Sequence, residues 1–437
     1  MASIKKILRI ILSSILIWEA RLILKKYQPR IIGITGNVGK TGTKDAIYSV
    51  LQSHYRVRKS EKSYNSEIGL SLTIMGCHNA WYNPIAWIKN IAEGLSLILF
   101  RSEYPEWLVL EIGADRPGDI ARVAKWLKLD VAVITRVPAV PVHVEFFPSA
   151  KALVAEKLIL IKALKKDGVA ILNYDDEQIM SVTENLKSRL LTYGLQEGAL
   201  VRGSNSHLYY QDRANKWHWP EGITFKVDYE GNNVPLHLLG VLGVHQIYSV
   251  LGALAVGLSQ KINLVDLAES LKNLELPPGR MRLLLGIKET LIIDDSYNSS
   301  PAALEAALET LGEITTTGRR IAVLGDMMEL GVHTIDAHKE AGIQVAQHAH
   351  ELVTIGLRSK FIADEAAKKK MGKKKLHHFD DAREAGVFLQ NYIASGDVIL
   401  VKGSQSMRME RVVEEIMAYP DDKANLLVRQ DEQWLRK

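Results

Sequence analysis

From Ile31 onward the chain alternates short, wholly apolar runs with longer stretches whose apolar positions recur every three or four residues. Runs that are apolar throughout belong to strands covered on both faces, and the longer period belongs to helices. The rhythm therefore predicts a mostly parallel sheet wrapped by helices. Strands are expected at residues 31–35, 107–112, 131–135 and 169–173, with a helix over 44–51. Ser149 suits the N-cap of a further helix running to about Leu164, with Gly168 as its stop. Between Ile223 and Leu238 the period drops to two. Ile223, Phe225, Val227 and Tyr229 alternate, Gly231 and Asn232 turn, and Val234, Leu236 and Leu238 alternate again, which is a hairpin pattern. A helix is expected over 243–258, and Pro277-Pro278-Gly279 then punctuates the chain. Beyond it the rhythm restarts, with strands expected at 291–295, 321–325, 352–356 and 398–403.

Two stretches break this rhythm. Residues 7–24 are strongly apolar and flanked by Lys5, Lys6, Lys25 and Lys26, yet they contain Arg9, Glu19 and Arg21. A spanning helix needs about 20 mostly apolar residues, and a central charge costs roughly 2.5–3.5 kcal/mol. A helix lying in a membrane interface is expected instead, with packing on its own domain as the plainer alternative. Residues 84–100, preceded by Trp81 and containing Trp87 and Phe100, read as an apolar helix whose face serves either the core or a membrane surface. The lysine run at 368–375 reads as a solvated face.

Composition narrows the class. A chain of 437 residues exceeds one hydrophobic core and suits several domains: an apolar N-terminal helix and possible membrane anchor at 1–29, a central domain at 30–276 and a C-terminal domain at 277–437. With 47% hydrophobic and 24% charged residues, a disordered or fibrous chain is excluded. The net charge of +5 is far from the dense basic patches of nucleic-acid binders, so no nucleic-acid partner is expected, while anionic substrates and a lipid surface stay compatible. The single cysteine, Cys77, excludes an internal disulfide framework and fits a cytoplasmic setting.

Candidate chemistry enters at Ile34-Thr35-Gly36-Asn37-Val38-Gly39-Lys40-Thr41, between an expected strand and an expected helix. In that context Gly36, Asn37, Val38 and Gly39 form a phosphate-binding loop: its N–H groups converge on phosphate oxygens, Lys40 reaches the outer phosphates and Thr41 can bind Mg²⁺. Ile34 stands where the longer GxxxxGKT spacing needs glycine, so only the shorter GxxGKT form is present. Glu111 closes an expected strand at the sheet edge where ligands collect, and could hold a metal against the nucleotide. Taken singly, Glu111 reads equally as an ion-paired acid, His143 as a satisfied histidine and Lys157 as a solvated helix lysine. The expected fold class is α/β, a central P-loop ATPase-like domain with a mostly parallel sheet followed by a Rossmann-like C-terminal domain.

Taken together, residues 33–41, 111–119, 294–298, 324–331 and 401–410 resemble the Mur ligases of bacterial cell-wall synthesis, and the resemblance covers nearly everything after Pro29. It implies ATP-dependent formation of an amide through an acyl phosphate, with two Mg²⁺ ions. D-alanyl-D-alanine is the implied amine, and a muramyl peptide the implied acid. Lys40 and Thr41 are implied to serve ATP and the first Mg²⁺, Glu111 and His143 to be metal ligands, and Lys157 to carry a carbamate that makes it an oxygen ligand. Arg280 and Asp295 are implied to close over the nucleotide, and Gln246, where the family usually has asparagine, to sit near the adenine. Ser66 and Ser300 replace family asparagines, and the family's uridine-binding N-terminal domain is expected to have no counterpart, which leaves the acceptor open. A folate-polyglutamylating enzyme, a lipid-linked peptidoglycan-modifying enzyme or a non-catalytic membrane scaffold are the alternatives. The implied location is the cytoplasm, with peripheral contact to the membrane's inner face.

Overall fold

A computed structural model describes residues 2–61, 64–81, 83–138, 144–181, 183, 186–210, 219–272, 274–431 and 434, with side chains from Ile10 onward. Two sheets organise the chain. The first holds β1 (Arg30–Thr35), β2 (Val57–Lys59), β3 (Trp107–Glu111), β4 (Leu129–Ile134), β5 (Leu164–Asn173), β6 (Arg189–Gly194), β7 (Val201–Tyr209), β8 (Gly222–Tyr229) and β9 (Asn232–Leu239). Its strand order is β2-β3-β1-β4-β5-β6-β7-β8-β9, parallel through β7 and antiparallel from β7 to β9. The second holds β10 (Arg282–Gly286), β11 (Thr290–Asp295), β12 (Arg320–Gly325), β13 (Glu351–Ile355), β14 (Leu376–Phe379) and β15 (Val398–Lys402) in the order β10-β11-β15-β12-β13-β14, with only β10 antiparallel. The α/β class with a mostly parallel sheet is thus as expected.

Strand alternation divides the first sheet's apolar residues between two cores. Ile32, Ile34, Trp107 and Val109 face α2 (Lys40–Gln52) and the helix Val244–Ser259. Ile31, Leu108 and Leu110 face the other side, packed with residues of α1 (Ala2–Tyr27), α3 (Glu67–Met75) and α6 (Ala150–Lys162). On that side lie also α4 (Pro84–Leu99), which contacts α1 and α3, and α5 (Asp119–Ala124), which contacts α6.

The N-terminal helix is a packing element on one face. Leu16, Ala20 and Ile23 are fully buried, while Ile10, Ile11 and Trp18 on the outer face are exposed. Among the described residues no helix is long and apolar enough to cross a membrane.

Two expected boundaries shift. Helix α6 is capped by Ser149, which accepts from Ala152 N, but it ends at Lys162, and Gly168 lies inside β5. The reason is that Leu164 already pairs with Leu129 across an irregularity in the β4–β5 ladder, so the strand begins before the glycine. The hairpin turn falls one residue earlier than expected, at Glu230 and Gly231, with φ of 46° and 80°. A two-residue turn with both central φ positive matches the strand twist, and it leaves Asn232 as the first residue of β9.

Candidate active site

In the first sheet β1 lies between β3 and β4, so the connections leaving its C-terminal edge diverge there and open a crevice. The loop after β1 is shaped by two glycines. A Cβ on Gly36 would lie 1.9 Å from Thr135 Oγ1, and Gly39 N-caps α2 with φ of 89°. The N–H groups of Asn37 and Val38 donate to Arg136 O at 2.9 and 3.2 Å, so they are not aimed at a ligand as expected of the whole loop. The first hydrogen bond of α2 runs from Thr43 N to Gly39 O. The N–H groups of Lys40, Thr41 and Gly42 consequently have no partner within the helix and form its positive end.

Charge concentrates around this loop. Lys40 does not extend into solvent; its Nζ curls back to donate to Gly36 O at 2.8 Å and Asn37 O at 3.4 Å. Lys157, buried on α6, donates to the same Gly36 O at 3.0 Å. Burial lowers both ammonium groups. Glu111 opposes the shift at Lys40, and the neighbouring Lys40 charge deepens the shift at Lys157, which is held well below the usual lysine range. At the end of β3 the buried Glu111 accepts from Thr41 Oγ1 at 3.0 Å, and Arg280 Nη2 donates to the same hydroxyl at 3.1 Å. An arginine that precedes the second sheet thus touches the loop of the first.

The facing wall belongs mainly to the second sheet. Arg280 stacks over Tyr297 at 4.1 Å, and its carbonyl accepts from Gln246 Nε2 at 3.0 Å. Burial lowers the His245 imidazole to about 4 and leaves it neutral. Asp295, at the end of β11, pairs with Lys402 at 2.5 Å and accepts from Met281 N at 3.2 Å. Next to it Asp294 is fully buried, which pushes its carboxyl up to about 6.

These groups line one cavity of about 820 Å³ between the two sheets, reached by Gly36, Asn37, Val38, Gly39, Lys40, Thr41, Glu111, Lys157, Gln246, Arg280 and Asp295. His143, the remaining expected site residue, lies outside the described residues. Among the described residues no three His, Cys, Asp or Glu side chains cluster as a metal site. The donors at hand for a hard cation are the Thr41 hydroxyl and the Glu111 carboxylate, and they fit: Glu111 is buried, and among the described residues its carboxylate receives a neutral hydroxyl and no cation. Sequence reasoning assigned no role to Asp115, Asn65, Asn298 or Lys402, which line the same cavity. Asp115 lies inside the 111–119 block and Lys402 inside the 401–410 block, so position within a block was the available signal.

The chain matches the family model for the Mur ligase middle domain over residues 34–257 and that for the Mur ligase glutamate ligase domain over 279–405. It is 29% identical over 402 residues to the UDP-N-acetylmuramoyl-tripeptide--D-alanyl-D-alanine ligase of Bacillus subtilis, covering 92% of this chain and 79% of that one. The Escherichia coli protein of the same name is 26% identical, covering 88% and 76%. Among solved structures, the MurF ligase of Thermotoga maritima in complex with ADP superposes with a TM-score of 0.74 at 26% identity, covering 92% and 83%. The folylpolyglutamate synthase of the same organism shares the fold, with a TM-score of 0.59 at 16% identity over 96% and 95%.

Proposed function

Because this chain belongs to the Mur ligase family, whose members are ATP-dependent ligases forming amide bonds, we propose that it joins a muramyl tripeptide carboxylate to D-alanyl-D-alanine during peptidoglycan precursor synthesis. In this reaction a carboxylate oxygen attacks the terminal phosphorus of ATP and the bond to ADP breaks. The amine nitrogen then attacks the acyl carbon of the acyl phosphate, loses a proton, and phosphate departs. The observation that carries the reading is the convergence on one loop of Lys40, Lys157 and Arg280, three basic side chains drawn from α2, α6 and the segment before the second sheet.

Lys40 and the α2 N-terminus are proposed to hold the transferred phosphoryl group, since preorganised positive charge stabilises the negative charge that develops there. Arg280 is proposed to orient the same group from the opposite wall, with Tyr297 and Gln246 fixing its guanidinium and carbonyl. Gln246 and Asp295 are proposed to border the nucleotide, Asp295 acting with Lys402 rather than as a free carboxylate. Thr41 and Glu111 are proposed to hold Mg²⁺, which when bound supplies charge neutralisation at the phosphates. His143 is proposed as a ligand of a second ion.

Lys157 is proposed to be carbamylated. A neutral amine reacts with CO₂, giving a carbamate and one proton, and the burial of Lys157 beside Lys40 favours that neutral form. The product would replace one of two crowded amines with a carbamate, whose two oxygens share one negative charge and suit a hard metal ion. We read residues 30–276 as the ATP-binding domain and 277–437 as the domain that closes on it, with the reaction placed in the cytoplasm.

The test is phosphate release from ATP with muramyl tripeptide and D-alanyl-D-alanine present together or singly, with the amide product identified by mass. Release and product that need both substrates are expected. Release that proceeds without either one, and no amide, would overturn the assignment.

A further inference from the structure

Helix α4 is coated on the wrong side for a helix in a closed core. Its buried residues are only Asn90 and Gly94. Ile85, Ile88, Ala92, Leu95 and Leu99 recur at intervals of three and four, which puts them on one face, and that face is open: Ile85 is 76% exposed, Leu99 72% and the following Phe100 66%. Helix α4 lies alongside α1 and parallel to it, because Glu19 packs against Gly94 while, further along both helices, Lys26 Nζ donates to the carbonyls of Leu97 and Ile98 at 2.8 and 3.0 Å. The leading ends of the two helices are therefore neighbours, and there α1 also exposes Ile10 and Ile11.

Charge on this pair is one-sided. Helix α1 carries Lys5, Lys6, Arg9, Arg21, Lys25 and Lys26 against a single acid. That acid, Glu19, is fully buried, and burial pushes its carboxyl up to about 7. On α4 the charges of Lys89 and Glu93 cancel in one ion pair at 3.7 Å, and exposed Arg101 follows Phe100. An apolar stripe bordered by basic residues and exposed tryptophans, here Trp18 and Trp81, has the chemistry of a surface that sinks to headgroup depth in an anionic bilayer.

The same helix ends border a second cavity, of about 1190 Å³. It is lined by Leu12, Trp81 and Trp87 at the α1–α4 end and by Thr41 and Arg280 at the phosphate-loop end. We propose that α1 and α4 dock this protein on an anionic membrane surface and that the carboxylate substrate enters this cavity while attached to a lipid carrier. The substrate half of the statement rests on the ligase reading above; the docking half does not.

The experiment uses the full chain and a triple variant, Ile85→Glu, Ile88→Glu and Leu99→Glu, at exposed positions, with Val332→Glu in the exposed turn that follows β12 as the control and circular dichroism to verify folding. Co-sedimentation is measured with vesicles of neutral lipid and of neutral lipid containing phosphatidylglycerol. The wild-type chain and the control are expected to sediment with the anionic vesicles at least tenfold more than with neutral ones, and the triple variant to lose that binding. Turnover is then compared for one muramyl tripeptide on a uridine diphosphate carrier and on a polyprenyl diphosphate in the same vesicles. The triple variant should keep turnover of the soluble form and lose at least tenfold on the lipid form. Wild-type protein that stays in the supernatant, or a triple variant that sediments equally, overturns docking. Self-association lost in the triple variant with no vesicle binding assigns the face to a second copy and also overturns it. Equal use of the lipid form by both proteins overturns the lipid-carrier half, whereas vesicle binding with no turnover of either form overturns the ligase reading alone.

Discussion

The two walls of the active-site cavity treat positive charge in opposite ways. On the loop side the half-buried Lys40 and the buried Lys157 lie against backbone carbonyls and make no ion pair with a described residue. On the opposite side, apart from Arg280, which reaches across to the Thr41 hydroxyl, the cations are matched: Lys402 by Asp295 at 2.5 Å, and Arg408 and Arg429 by Glu410 at 2.5 and 2.6 Å. A buried ion pair contributes little net stability but is costly to break, because removing one member strands the other. The paired wall thus behaves as scaffold. The loop wall holds in Lys40 a charge that no described carboxylate matches and whose natural complement is a bound anion, and it should cost the fold little to remove and the reaction much.

That contrast can be broken at several points. Lys402→Ala should cost about 3–5 kcal/mol in urea unfolding, since it leaves Asp295 buried and uncompensated; a loss below about 1 kcal/mol would make the second wall no more structural than the first. Lys40→Ala should leave unfolding nearly unchanged and lower turnover about 10²–10³-fold, the usual cost of losing one group that stabilises developing charge. Equal losses in stability and turnover would erase the distinction between the walls. For Lys157, protein equilibrated with ¹³C-labelled CO₂ should show a carbamate resonance that Lys157→Ala lacks, and added short carboxylates should restore part of the variant's activity. A wild-type spectrum without that resonance removes the carbamate.

The smallest effect concerns Asp294. Its folded-state carboxyl titrates at about 6, above the reference value of 3.8, so the folded protein binds that proton more tightly than the unfolded chain. This group therefore favours folding below about pH 4 and loses that contribution as pH rises through 6. Asp294→Asn should flatten this slope, by on the order of 1–3 kcal/mol between pH 4 and 7. A slope identical to wild type would mean that Asp294 is solvated.

Much of the fold was readable because its central strands are buried on both faces and so appear as unbroken apolar runs, as in Leu108-Val109-Leu110. The strands that escaped notice are those with mixed burial. In β7, Val201 and Gly203 are buried while Asn205, Ser206 and His207 are exposed, and β2 is only three residues long. The phosphate loop was readable because its residues are contiguous. What could not be read from spacing alone was the meeting of residues far apart in sequence, such as Lys157 with Gly36 and Arg280 with Thr41. Nor does any local pattern show that Lys40 folds back on its own loop, since that conformation depends on where Gly36 directs its carbonyl.

Adjacent residues of α6 are fastened to different parts of the molecule. Glu156 accepts from the N–H groups of Gly118, Ile120 and Ala121, Lys157 donates to Gly36 O, and Ser149 caps the helix start. Side chains one residue apart project about 100° from each other around a helix axis, so two such anchors resist rotation about that axis, and the cap resists sliding along it. In mechanical terms α6 is a kinematic mount: with torque and axial travel both constrained, the Lys157 nitrogen is held at a fixed station beside the phosphate loop.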